Sequence, residues 1–178
     1  MKSVVINLAV FKAAWAATVI GAAAGLPLVA LIAAAIAAWI HLLRSDDRPA
    51  ELRLLVLAAA IGFVWESALV SAGMLVYESG QLVPGFAPYW IVAMWVLFAT
   101  TLNVGMRWLR RSTVVAAIAG AVGGPLAFVA GASAGAVTLV HPVTSLVVIG
   151  VGWSLLLPLL VRFAMRVEDE HPQIATPA

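Results

Sequence analysis

In a chain of 178 residues dominated by Ala, Val and Leu, few side chains can do chemistry, and Glu66 stands first among them. It lies 13 residues beyond Arg53, roughly 20 Å along a helix rising 1.5 Å per residue, and so near the middle of an apolar run. A carboxylate at that depth in lipid costs on the order of 2.5–3.5 kcal/mol on insertion scales, so it needs a partner, a water cavity or a bound proton. One reading makes it a proton, cation or ligand-headgroup site. The other makes it an acid that hydrogen-bonds between helices and holds a bundle together.

Lys12 is the natural counter-charge, about 12 Å in from Val4 on a run that should lie parallel to that of Glu66. The depths differ by about 8 Å, and a lysine stem leaning toward the helix start can equally carry its ammonium to the interface, which is the preferred expectation. Trp65 adjoins Glu66 and joins the candidate ligand contacts. Asn7, His41 and Asn103 each fall within about two turns of one membrane face. They either ring a polar vestibule under Glu66 or reach interfacial water. There is no cysteine, no helical H-x-x-E-H or H-E-x-x-H spacing, no nucleophile elbow and no paired carboxylate. No metal site or cofactor is therefore expected, and catalytic residues stay unassigned, with Glu66 the acid or base if the chain is an enzyme.

The elements that must position these residues are membrane spans. The chain is 64% hydrophobic and 10% charged, with a mean hydropathy of +1.09, far from a soluble composition. Runs of about 20 apolar residues match the hydrocarbon thickness. They fall at Val4–Gly25, Leu28–Leu43, Leu52–Tyr77, Tyr89–Trp108, Thr113–Val140 and Val143–Met165. The expected fold is all-α, one membrane domain of about six transmembrane helices over residues 1–167, with 168–178 as a polar C-terminal tail. The apolar N-terminus reads as a retained first span rather than a signal peptide. Pro125 inside the fifth run predicts a kink or a break.

Lysine and arginine gather at alternate connections, namely Lys2, then Arg44, Arg48 and Arg53, then Arg107, Arg110 and Arg111, then Arg162 and Arg166. That spacing predicts both termini in the cytoplasm. It also explains the basic balance without nucleic acid as a partner. Tyr77, Tyr89 and Trp90 are expected as an aromatic belt at the opposite interface. Gly62, Glu66, Gly73 and Tyr77 share a helical face, as do Gly120, Gly124, Gly131 and Gly135, beside Pro125. Glycines so spaced let helices approach closely, within one chain, in a homo-oligomer or against a membrane partner protein.

Several features together resemble one family. They are Asn7 to Trp15, Glu66 seven residues before Gly73, Pro88-Tyr89-Trp90 followed by Trp95 and Phe98, and Gly123-Gly124-Pro125 followed by Phe128, Gly131 and Gly135. The chain resembles the bacterial inner-membrane family catalogued as domain of unknown function 2878, in which aspartate often stands where this chain has Glu66. The resemblance implies a multi-pass protein of the bacterial inner membrane. It also implies a lipid-related role, because members are often encoded near enzymes that modify phospholipid acyl chains. The expected function is non-enzymatic: binding or moving an apolar or amphipathic molecule, membrane lipids foremost. The rivals are a membrane enzyme or enzyme subunit acting on acyl chains, and a structural scaffold.

Overall fold

The computed structural model describes residues 2–169. Each apolar run becomes a helix: α1 Lys2–Ala23, α2 Pro27–Arg44, α3 Arg48–Ser71, α4 Tyr89–Ala99, α5 Thr113–Ser133 and α6 Pro142–Asp169. Local chemistry sets their starts. Pro27 occupies the first turn of α2, where a missing N–H costs nothing. Asp47 caps α3 by accepting from the Ala50 N–H at 3.0 Å, and Ser112 caps α5 through the Val115 N–H at 3.3 Å. All but α4 are long and apolar enough to cross a membrane.

The ends of α1, α3 and α5 share one device. Gly25, Gly73 and Gly135 take φ of 71°, 66° and 84°, and the following N–H reaches back to the Gly21, Leu69 and Gly131 carbonyls respectively. This is a glycine-terminated turn that a Cβ would strain. It shortens two expected spans: α3 stops at Ser71 instead of reaching Tyr77, and α5 stops at Ser133 instead of Val140. Gly73 and Gly135 thus end helices rather than line packing faces. The freed chain after α3 forms β1, Leu75–Val76, antiparallel to β2, Thr138–Leu139, with Leu75 opposite Leu139. The expected aromatic belt is corrected as well, since Tyr77 and Trp90 are only 4% and 2% exposed.

The fourth run departs most from expectation. α4 has 11 residues, about 16 Å at helical rise. Thr100 and Thr101 turn their hydroxyls onto the Leu97 and Phe98 carbonyls, both at 2.7 Å, and hydrogen-bonded turns lead to a 3-10 helix over Arg107–Arg111. From Ala87 to Met106 no residue is exposed. Irregular backbone is tolerated at membrane depth where protein encloses it. At one end Trp90 Nε1 donates to the Ser79 carbonyl at 3.0 Å; at the other Asn7 Nδ2 donates to the Thr100 carbonyl at 2.9 Å. The segment therefore runs through the centre of the bundle.

Pro125 does not break α5, which is continuous from Thr113 to Ser133. The proline leaves the Ala121 carbonyl, four residues earlier, without its helical donor. Gly150 of α6 lies against that carbonyl, where an added Cβ would sit 3.2 Å from the oxygen. α6 continues through Asp169, so the expected tail starts inside the helix, and 170–178, with His171, lies outside the described residues.

Candidate functional site

α3 carries Glu66 into the core, where the residue is 1% exposed. One turn earlier, Gly62 lets the Trp95 ring of α4 lie flat against α3, since an added Cβ would fall 2.6 Å from Trp95 Cδ1. That approach aims the indole N–H at Glu66 Oε1, 3.0 Å away. The Gly73 turn brings the chain back so that Tyr77 donates its hydroxyl to Glu66 Oε2 at 2.8 Å. Tyr77 is held edge-on to Trp90, with centroids 5.4 Å apart. Both carboxylate oxygens thus have neutral donors. No ion pair joins Lys12 to Glu66.

Beside this knot lies a cleft of about 620 Å³, to which Glu66, Tyr77 and Trp95 contribute. α1 and α5 form its walls, because α1 packs on α2 and α4 while α5 packs on α6 and the 3-10 helix. Trp153 of α6 lines the floor, stacked on Trp95 at 4.7 Å, and its indole N–H is buried without a partner. Glycines shape the α5 wall. Added Cβ atoms at Gly120 and Gly124 would strike Trp153, whereas one at Gly123 would meet nothing within 4 Å. The cleft runs from Trp108 and Leu109 to Ala136 and Val137, along α5 from Ala119 to Gly131. Lys12 lines it, exposed, with no polar partner among the described residues.

The remaining candidates assemble elsewhere. Asn7, His41 and Asn103 line a separate cavity of about 530 Å³, together with Arg44, Asp46 and Glu51, and Glu66 is not part of it. Its centre is Glu51, 8% exposed, which accepts from His41 Nε2 at 2.9 Å and Asn103 Nδ2 at 2.7 Å. Arg110 in turn donates to Asn103 Oδ1. Here α1, α2 and α3 meet the segment after α4, so we call this the basic end. Trp65 lines neither cavity; it wedges against Gly152 of α6, with its N–H buried and unpartnered.

Sequence reasoning missed Glu51, and it left Tyr77 and Trp95 as an interfacial and a packing aromatic. Glu51 sits in the first turn of α3 among loop charges. The signal for it was indirect: His41 and Asn103 near one membrane face both require an acceptor. No group of three or more His, Asp or Glu that could hold a metal occurs among the described residues.

The family model described as "Protein of unknown function (DUF2878)" matches residues 4–159, and the chain belongs to that family. No curated protein and no solved structure matches it.

Proposed function

We propose that this member of the family binds an apolar or amphipathic molecule, a membrane lipid foremost, in the cleft between α1 and α5. It would do so as a multi-pass protein of the bacterial cytoplasmic membrane, with its basic end and both termini on the cytoplasmic side. One observation carries the reading: the cleft is walled by apolar and aromatic side chains and by the side-chain-free strip at Gly123, along α5 from Ala119 to Gly131. Such a groove offers a hydrocarbon chain close packing, and it offers a polar solute almost no hydrogen bonds. In this reading Glu66 builds the floor. Its two acceptors orient Trp95 and Tyr77, and through Trp95 the stacked Trp153.

Gly123→Phe tests the reading, because it sets a ring at the open strip that lines the groove. The wild type, gently solubilised, should carry a bound lipid in native mass spectrometry with extraction, and the variant should lose at least nine-tenths of it, consistent with a lost contact of about 1.4 kcal/mol or more. Its melting temperature should stay near that of the wild type. Undiminished lipid in a folded variant, or no bound molecule in the wild type, would sink the proposal.

A further inference from the structure

Lys12 is a charge in the cleft that no polar group among the described residues answers. It stands nine residues beyond Ser3 in α1, about 13 Å along the helix. It is exposed on the cleft side. Among the described residues Glu66 is the only acid that lines the cleft, and its oxygens are occupied by Tyr77 and Trp95. Glu51, Asp46 and Asp47 face the other cavity, which takes up a different face of α1 through Ser3, Asn7 and Val10. The lysine stem leans toward the start of its helix, and so toward Met106 and Trp108 at the basic end of the cleft.

An ammonium bordering hydrocarbon draws an anion to itself. Resting on the cleft reading above, we propose that the occupant is an anionic phospholipid. Its phosphate pairs with Lys12 and its acyl chains lie along the glycine strip of α5 toward Gly131. A zwitterionic lipid suits the site less, because its own cationic group answers its phosphate and repels Lys12. A free fatty acid is the competing anion, and the titration below tells the two apart. Trp108, 53% exposed, flanks the headgroup at the interfacial level that indoles favour.

The experiment uses the full chain, delipidated in detergent, titrated by native mass spectrometry with phosphatidylglycerol, phosphatidylcholine and oleate. The wild type should bind phosphatidylglycerol about fivefold more tightly than phosphatidylcholine, the preference one lysine near a membrane surface supplies. Lys12→Gln should abolish that preference while keeping the phosphatidylcholine level of binding, and Lys12→Arg should restore it. Equal binding of the two lipids by the wild type, a preference surviving in Lys12→Gln, or oleate outcompeting phosphatidylglycerol would overturn the proposal and leave the cleft reading standing. Failure of every probe to bind would overturn both.

Discussion

Gly120→Ala is expected to part α5 from α6 and to cost about 2–3 kcal/mol, the upper range for overpacking a well-filled interface. The added methyl would overlap the Trp153 carbonyl oxygen and lie 2.7 Å from its carbon. These are backbone atoms of a neighbouring helix, so no rotamer change relieves the contact and the helices must separate. α6 is the principal neighbour of α5, so little else holds the wall of the cleft. Gly123→Ala supplies the control. It is the same exchange three residues on, with nothing within 4 Å of the new methyl, and it removes the flexibility of a helix-interior glycine, a gain of about 0.5–1 kcal/mol. Thermal unfolding in one detergent should thus rank Gly123→Ala at or above wild type and Gly120→Ala well below it. Equal melting temperatures for the two would refute the packing described for α5 and α6.

The second large effect belongs to Glu66→Leu. It keeps bulk in the core but strands the Tyr77 hydroxyl and the Trp95 N–H, each a buried donor whose loss of a partner costs about 1–3 kcal/mol, or about 2–6 kcal/mol together. Glu66→Gln should cost far less. The amide oxygen accepts from Trp95, and its NH2 donates to a Tyr77 hydroxyl that rotates to receive it. Tyr77→Phe should rescue part of the Glu66→Leu loss by removing one stranded donor, a coupling of order 1 kcal/mol in a double-mutant cycle. Additive effects would mean that Tyr77 and Glu66 do not share a bond. The comparison also bears on function: if Glu66 builds the floor rather than pairing with a headgroup, Glu66→Gln keeps its lipid, and loss of lipid from that folded variant would assign the carboxylate a direct contact.

The spans were legible because hydrocarbon thickness writes itself into the sequence as run length, and Glu66 was legible because a carboxylate amid such a run must find partners there. Its partners were not. Trp95 and Tyr77 lie 29 and 11 positions away, and neither type signals a hydrogen bond until a helix approaches across Gly62 or the chain doubles back at Gly73. The helical face drawn through Tyr77 failed at that turn, because periodicity continues on paper where a left-handed glycine ends the helix. Asn7, His41 and Asn103 line one cavity, but Glu51, which joins His41 to Asn103 there, was hidden among the charges at the helix ends.

The short α4 has a consequence for how the bundle is made. Residues Tyr89–Trp108 are apolar over a full membrane thickness, yet the folded chain leaves helix at Ala99. Surrounded by lipid alone, such a stretch would be least costly as a continuous helix, because every unpaired peptide group there costs several kcal/mol. The break from Thr100 to Met106 becomes affordable only when Asn7 covers the Thr100 carbonyl and Glu51 receives Asn103. The turns from Thr100 to Met106 thus rely on neighbouring helices for bonds that a continuous helix would have made within itself. Whatever loosens α1 or α3 from this stretch therefore withdraws the support of its backbone as well as its side chains.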